Sequence, residues 1–154
     1  MDKKMFCFQC EQTVGCAGCT GNAGVCGKKA DTARLQDELT GALIGLARAV
    51  DSTTAISKRT GQVIIEGLFT TVTNVNFDDV SIENMIQKVR AEKERLVPDC
   101  SKGQSPCGKT GEYDMQQLWN ANEDIRSLKS LILFGIRGMA AYAYHANVLN
   151  YEDA

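Results

Sequence analysis

The sequence has little net charge and no long basic segment. It carries 17 Lys+Arg against 19 Asp+Glu, a net charge of −2, and no basic run is longer than Lys28-Lys29. A nucleic-acid-binding surface needs a positive patch that neutralises phosphates. We therefore expect no nucleic-acid partner.

Long apolar runs and a secretory leader are also missing. The longest apolar candidate, Leu131 to Ala143, is interrupted by Gly135, Arg137 and Gly138, and it falls short of the roughly 20 residues that a membrane-spanning helix needs. The segment before Cys7 has no apolar stretch and no small-residue cleavage site. We expect a soluble, cytoplasmic protein without a membrane partner.

The chain has a single histidine, His145. No carboxylate pair, Ser/His/Asp set or Cys/His dyad has a spacing that indicates acid–base or nucleophilic chemistry. A lone imidazole on a long helix is usually a packed or surface residue rather than a metal ligand. These residue types therefore predict no catalytic site.

Cysteine, in contrast, is abundant and clustered. Five of the seven cysteines lie within residues 7–26, among glycines and small residues: Cys7, Cys10, Cys16, Cys19 and Cys26. Clustered thiols in a reducing compartment are more often metal ligands than disulfides, and the odd count leaves at least one thiol unpaired. Residues 1–30 are therefore predicted to be a metal-binding loop. The spacing leaves three alternatives open, an iron–sulfur cluster, zinc, and disulfides or inert thiols.

An amphipathic helical pattern follows this loop. Asp31 is predicted to cap a helix that runs to about Lys58, and Gly41 and Gly45, one turn apart, indicate a close helix crossing. The apolar positions recur at spacings of four and three: Leu35, Leu39, Ala42, Leu46, Ala49 and Thr53.

Gly61 is expected to break this pattern before a second buried segment. Residues 63–72 suit either a strand or a buried helix, and we favour a helix. Residues 74–78 predict a turn, with Asp78 as the N-cap of a third helix that ends at Pro98. One face of that helix carries Ile82, Met85, Ile86, Val89 and Leu96. A charged run that includes Glu83, Lys88, Arg90, Glu92, Lys93, Glu94 and Arg95 is expected to be solvated.

The C-terminal segment predicts a fourth helix. An unbroken apolar repeat indicates a seam packed against neighbouring helices: Leu128, Ile132, Gly135, Met139, Tyr142, Ala146 and Leu149. No alternating pattern supports a sheet, and Trp119 and Tyr113 are assigned to the core. The predicted fold is an all-α antiparallel bundle in one domain, 1–154, with the bundle over 31–149 and a loop over 99–113.

Two further motifs lie in that loop. Residues 103–110 fit the phosphate-binding pattern G-x-x-x-x-G-K-[ST], but no buried strand precedes them and Gly111 follows, so we interpret them as an ordinary surface loop. Cys100 and Cys107 repeat the spacing of Cys19 and Cys26. They are interpreted as free or oxidation-prone thiols rather than a second metal site.

Several segments resemble the hybrid cluster protein family, also called the prismane or hydroxylamine reductase family. They are residues 5–13, 18–20, 24–28, 35–37, 67–78, 122–128, 135–142 and 145–149, in the order found in that family's first, helical domain, with Tyr144 where the family has a glutamate. The family's N-terminal thiolates bind a [4Fe–4S] cluster, or in one branch a [2Fe–2S] cluster.

The resemblance implies four ligands, Cys7, Cys10, Cys19 and Cys26. Cys19 is preferred over Cys16 because it has the matching Gly-Cys-Thr context, which leaves Cys16 as a possible substitute. The gap between Cys10 and Cys19 fits the [4Fe–4S] branch, and the gap between Cys19 and Cys26 is one residue longer than expected.

The family's catalytic hybrid cluster is held by residues of later domains that this sequence does not contain. We therefore expect single-electron transfer and no hydroxylamine reduction by this chain alone. The expected partner is a redox protein, such as a chain that carries a hybrid-type cluster. A homodimer through the glycines of the seam is also compatible with the pattern. Two alternative functions are kept, the electron-input subunit of a multi-chain hydroxylamine or nitrogen-oxide reductase, and a structural or interaction domain closed by zinc.

Overall fold

Five α-helices lie in the part of the chain that the computed structural model describes, residues 5–10, 17–51, 56–73, 75–97 and 111–151. They are α1 (Ala30–Asp51), α2 (Lys58–Thr70), α3 (Asp79–Leu96), α4 (Met115–Trp119) and α5 (Glu123–Val148). No β-strand occurs in these ranges, so the all-α prediction is confirmed. None of the helices found there is long and apolar enough to cross a bilayer.

The hydrophobic core lies between α1, α2 and α3. The predicted stripe of α1 is buried from Leu35 to Ala49, and the predicted face of α3 is buried at four of its positions and half-buried at Leu96. Since residues three and four apart share one side of a helix, these stripes meet as continuous apolar surfaces. Both predictions are confirmed, except for Thr53, which lies outside the described residues.

The boundary between the first two helices differs from the prediction. α1 ends at Asp51, and Ser57 begins the next helix by accepting a hydrogen bond from the Thr60 N–H, so Lys58 belongs to α2. Gly61 lies inside α2 rather than at a break. The segment after Gly61 is helical up to Thr70, which confirms the helix that we favoured over a strand.

Two side chains test the predicted helix starts. Asp78 accepts a hydrogen bond of 3.1 Å from the Val80 N–H, which confirms it as the N-cap of α3. Asp31 is not an N-cap, because α1 already begins at Ala30 and Asp31 lies in its first turn. A carboxylate there still interacts favourably with the helix dipole.

Gly41 allows a close approach, but to a loop rather than to a helix. A Cβ at Gly41 would lie 2.3 Å from the carbonyl oxygen of Tyr113, and the Tyr113 N–H donates to the Gly41 carbonyl at 3.1 Å. The second close approach is at Gly67 of α2, where a Cβ would lie 2.7 Å from Leu43 Cδ2. At Gly41 the close atom is backbone, so a methyl group has no space there, whereas at Gly67 the Leu43 side chain would have to shift.

The predicted solvated charge run of α3 is wrong at Glu92, which is 1% exposed. Its carboxylate accepts hydrogen bonds from the Thr60 hydroxyl at 2.7 Å and from Arg95 at 2.6 Å. Together with Arg59, these partners hold the pKa of Glu92 down at about 2, the Arg95 hydrogen bond being the largest cause. A buried charge is tolerated when it is paired in this way.

The predicted seam of α5 is also wrong. Five of its seven residues are large and exposed, with Met139 73% and Tyr142 83% exposed, and a sixth is the exposed Gly135. The buried residues of this helix are Arg137 and Ala140, with Leu133 and Phe134 half-buried beside them. The buried face therefore lies one to two positions away from the predicted seam. Two sides of α5 are apolar, and the side that was not predicted packs on α2 and α4.

Candidate metal centre

Cys7 and Cys19 are paired through their backbones. The Cys7 N–H donates to the Cys19 carbonyl at 3.1 Å, and the Cys19 N–H donates to the Cys7 carbonyl at 2.7 Å, as in one step of an antiparallel ladder. Gly18 has φ +84°, and a Cβ there would lie 3.2 Å from the Cys7 carbonyl oxygen. Glycine at this position lets the two cysteine segments come together.

Residues 5–9 alternate in direction, as extended backbone requires. Met5, Cys7 and Gln9 are buried against the start of α1, where Met5, Cys7, Cys19 and Ala33 form a small apolar cluster. The intervening rings of Phe6 and Phe8 contact Trp119 of α4 instead, with ring centroids 5.1 and 5.0 Å away. The loop is thus held by α1 on one side and by Trp119 on the other.

Cys26 lies in a tight turn. The Gly24 N–H donates to the Lys28 carbonyl and the Gly27 N–H donates to the Gly24 carbonyl, both at 2.8 Å. Gly27 has φ +83°, which favours glycine, and a Cβ on Gly24 would lie 3.5 Å from Cys26 Sγ. Cys10 and Cys26 are half-buried, whereas Cys7 and Cys19 are buried.

A buried lysine links the two ends of the loop. Lys28, 2% exposed, donates a hydrogen bond of 2.6 Å from Nζ to Gln9 Oε1. The amide nitrogen of Gln9 donates in turn to the Ala33 carbonyl at 2.9 Å and to Asp37 Oδ1 at 2.8 Å. The segment between Cys7 and Cys10 is therefore connected both to the Cys26 turn and to α1.

Ionisable groups of α1 and α5 lie beside this link. Burial raises the pKa of Asp37 to about 6, although the Gln9 hydrogen bond and the charges of Arg137 and Lys28 favour its ionised form. Burial likewise lowers the pKa of Arg137 to about 10, while Asp37 favours its charged form. Arg137 is 4% exposed and donates to the hydroxyls of Thr71 and Thr40, both at 3.0 Å.

The thiol of Cys7 responds to the same surroundings. Burial raises its pKa, and the Gln9 backbone N–H and the positive charge of Lys28 act in the opposite direction. A backbone N–H and a nearby ammonium are the groups that stabilise a thiolate. These two partners offset part of the effect of burial, which remains the largest and keeps the pKa of the Cys7 thiol raised.

The four predicted ligands are free thiols, but their sulfur atoms are not gathered into one site. Within the described ranges, no three side chains of His, Cys, Asp or Glu are grouped so that they could hold a metal ion. The donor set fits a thiolate-bound metal by its chemistry, since four free thiols lie on one glycine-rich segment. His145 is exposed and contacts the ring of Phe69. The predictions for Cys16, Cys100, Cys107 and residues 103–110 fall outside the described residues.

Sequence reasoning missed the polar residues around the loop. Gln9, Asp37 and Arg137 were not singled out as site residues, and Lys28 was noted only as part of a short basic run. Lys28 carries a usable signal, because it follows the Cys26-Gly27 turn directly. Arg137 had one too, as the charged residue inside the apolar segment of α5, which indicates a buried charge that needs partners.

The fold and the loop together define an all-α protein with a cysteine-rich, glycine-rich segment packed against its first and fourth helices. The chain belongs to the Prismane/CO dehydrogenase family, whose sequence model matches residues 5–154. Proteins of this family bind iron–sulfur clusters, which supports an iron–sulfur cofactor and a redox role in general.

Curated relatives named hydroxylamine reductase are similar over almost the whole chain. The protein of Methanococcus vannielii is 39% identical over 97% of this chain, and that of Clostridium perfringens is 38% identical over 96%. The protein of Thermodesulfovibrio yellowstonii is 41% identical over 97%. This chain spans about 31% of the length of each of these relatives.

Proposed function

We propose that this chain binds an iron–sulfur cluster through Cys7, Cys10, Cys19 and Cys26 and transfers single electrons. The observation that carries the proposal is the backbone pairing of Cys7 with Cys19, because it places two thiols from distant parts of the loop side by side next to α1. All four cysteines are free, and thiolates are the usual ligands of iron–sulfur clusters.

The cluster we propose is [4Fe–4S]. Its four irons take four thiolates, which is the number of free cysteines in the described part of the loop. A [2Fe–2S] cluster also takes four thiolates, and a measurement of iron per chain distinguishes it from the [4Fe–4S] cluster. Cys16 is the reserve ligand in either case.

When bound, the cluster supplies one-electron redox chemistry, and the protein contributes the surroundings that adjust it. The Gln9 backbone N–H and the charge of Lys28 act on Cys7 to lower the pKa of its thiol, and donors and charges around a ligating sulfur adjust the reduction potential of a bound cluster. Cys7 and Cys19 are shielded from water, whereas Cys10 and Cys26 are half-buried. The half-buried side offers the shorter path to a redox partner.

Anaerobic expression and metal analysis test the proposal. We expect about four irons and four sulfides per chain, visible absorption, and an EPR signal after reduction. Colourless protein without iron and sulfide would refute it. One equivalent of zinc without visible absorption would favour the zinc-closed structural domain instead.

Single Cys→Ser variants provide the matched comparison. Cys7→Ser and Cys19→Ser should each lose most of the iron, whereas Cys100→Ser should retain it, since Cys100 is not among the proposed ligands. Cys16→Ser should also retain iron. Loss of iron in Cys16→Ser but not in Cys19→Ser would replace Cys19 by Cys16 in the ligand set.

A second function is favoured by the length comparison. Because the chain spans about 31% of relatives named hydroxylamine reductase, it would act as the electron-input part of a cytoplasmic reductase whose other part carries the reaction. Reduction of hydroxylamine should then be absent from the isolated chain. It should appear only when a polypeptide with the remaining length is present in the same complex.

A further inference from the structure

The outer face of α5 is an uncovered apolar surface. Six large side chains along it are between 42% and 83% exposed: Leu128, Leu131, Ile132, Ile136, Met139 and Tyr142. The two charged residues in this stretch do not interrupt it. Arg137 is buried on the inner face, and Lys129 lies over the ring of Tyr113. We call this surface the outer α5 face.

The outer α5 face is symmetric about Gly135. Leu128 and Tyr142 lie two turns on either side of this glycine, and Leu131 and Met139 lie about one turn on either side. A Cβ on Gly135 or Gly138 would meet no atom within 4 Å, so the middle of the face is open backbone. A twofold axis at Gly135 would therefore bring identical helices close together in antiparallel orientation.

The area is sufficient for such a contact. The six side chains and the neighbouring Ile125, 47% exposed, present apolar surface on the order of 700 Å², close to the ~800 Å² that each partner of a standard interface buries. A groove of about 290 Å³ runs beside the face, lined by Ile44, Leu118, Ile132 and Ile136 among others. It provides a concave surface next to the protruding side chains.

We propose that a second copy of this chain covers the outer α5 face, antiparallel and with its twofold axis near Gly135. Leu131 of each copy then packs opposite Met139 of the other, and Leu128 opposite Tyr142. The face supports a copy of itself because apolar residues and open glycines meet their own kind under this symmetry, without any charge that would need a complementary partner.

Sedimentation of the full chain tests the dimer. We expect twice the 16.8 kDa of the single chain at micromolar concentration and above. The double variant Leu131→Glu with Met139→Glu should be monomeric, because four carboxylates would meet at the interface. Leu131→Glu with Met139→Lys should restore the dimer, because the new carboxylate at position 131 of each copy then faces the new ammonium at position 139 of the other and two opposite-charge pairs form. Within one helix the two substituted positions are about two turns apart.

Val80→Glu is the control, since Val80 is 65% exposed on α3, away from the outer α5 face, and the variant should remain dimeric. Circular dichroism verifies that each variant is folded. A wild-type chain at monomer mass would overturn the proposal, and so would a monomer that associates only with a polypeptide supplying the remaining length of the relatives. A dimer that the acidic pair does not dissociate would also overturn it.

A second inference comes from Lys28, and it rests on the proposed function. Lys28 is 2% exposed, and the contacts of its ammonium group among the described residues are Gln9 Oε1 and the ring of Phe77, 5.9 Å from Nζ. No carboxylate lies within ion-pair distance of it in that part of the chain, and Asp37, on which its charge acts, is joined to it only through the Gln9 amide. A buried ammonium is unfavourable unless negative charge lies nearby.

We propose that Lys28 is a positioning residue whose fixed positive charge raises the reduction potential of the metal cluster held by the loop. Reduction adds negative charge to the thiolate-bound group, and a nearby buried cation stabilises the reduced form more than the oxidised form. Lys29, the next residue, carries the same charge but differs in solvent exposure. It is exposed, so its charge is screened by water.

Anaerobic redox titration of Lys28→Met and Lys29→Met compares the same charge change at neighbouring positions. Lys28→Met should lower the midpoint potential by about 59 mV, a tenfold change in the one-electron equilibrium, and Lys29→Met should leave it unchanged. Lys28→Arg should restore most of the potential. Lys28→Gln, which keeps a hydrogen-bond donor without the charge, is used if the methionine variant binds no iron.

Iron and sulfide content is measured first, so the two failures are distinct. A wild-type chain without iron refutes the proposed function. A loaded Lys28→Met or Lys28→Gln chain with the wild-type potential overturns the role of Lys28 alone, as would equal shifts in the Lys28 and Lys29 variants.

Discussion

Arg137 on α5 donates a hydrogen bond of 3.0 Å from Nη2 to the hydroxyl of Thr40 on α1, although the two residues are 97 positions apart in the chain. The Thr40 hydroxyl in turn donates to the Gln36 carbonyl at 2.8 Å. The Arg137 Nε donates to Thr71, just after α2. One buried guanidinium thus joins three helical segments next to the cysteine loop.

Substituting Arg137 should therefore be costly. Arg137→Ala should lower the free energy of unfolding by about 3 kcal/mol or more, because the Thr40 and Thr71 hydroxyls lose a charged donor and a cavity remains. Urea denaturation of the metal-free protein measures this. Lys129→Ala on the exposed side of the same helix should change stability by less than about 0.5 kcal/mol. Equal losses in both variants would contradict a structural role of the buried guanidinium.

Asp37 should make stability depend on pH. Its pKa is about 6 in the folded protein against 3.8 for an unperturbed Asp carboxyl, so the folded state binds this proton more tightly than the unfolded chain. The stability linked to Asp37 is fully present below pH 3.8 and is lost as the pH rises through 6. The loss is about 3 kcal/mol, at 1.36 kcal/mol per pKa unit.

The variant Asp37→Asn isolates this effect, since the amide can still accept the hydrogen bond from Gln9. Stability of the metal-free chain, measured from pH 4 to pH 6.5, should fall less steeply in the variant than in the wild type. Identical pH profiles would show that Asp37 ionises in the folded protein as it does in the unfolded chain.

Two glycines should respond oppositely to the same substitution. Gly41→Ala should destabilise the protein by about 1–3 kcal/mol, because the new methyl group would lie 2.3 Å from the Tyr113 carbonyl. Gly61→Ala, in the interior of α2 with nothing within 4 Å, should stabilise it by about 0.5–1 kcal/mol. Thermal unfolding followed by circular dichroism measures both, and a neutral Gly41→Ala would contradict the close approach of Tyr113.

Trp119 should protect the cysteine loop. In Trp119→Ala, Phe6 and Phe8 lose the ring that they contact, so the loop should open more often while the core of α1, α2 and α3 remains. We expect faster alkylation of Cys7 in the metal-free chain, measured by peptide mass spectrometry, with unchanged helical content. Tyr151→Ala, at a residue 75% exposed, is the control. Unchanged alkylation in Trp119→Ala would show that α1 alone holds the segment.

Local signals predicted much of this architecture. The apolar repeats of α1 and α3 and the cap at Asp78 depend on residues within a few turns of each other, and they were found as predicted. α4 was missed because five residues are too few to show a helical period. The first helix was predicted to run to about Lys58, but Ser57 caps a separate helix, α2, which begins at Lys58.

Burial of charged residues could not be read in the same way. Glu92 belongs to a run of charged residues, and only the packing of α2 against α3 brings Thr60 within 2.7 Å of its carboxylate. Lys28 is one of two adjacent lysines, of which one is 2% exposed and the other is exposed. Two adjacent lysines thus differ in solvent exposure because of contacts with residues far away in the sequence.

The sequence by itself determined the helical class, the cysteine-rich loop and its likeness to one family, because periodicity, turn residues and motif spacing are local properties. Only the tertiary structure decided which side of α5 faces inward, which charges are buried, and that Cys7 and Cys19 are paired through their backbones. The physical reason is that α5 is apolar on two sides, so its own sequence suits either orientation. Long-range contacts of Arg137 with Thr40 and Thr71 select one of them.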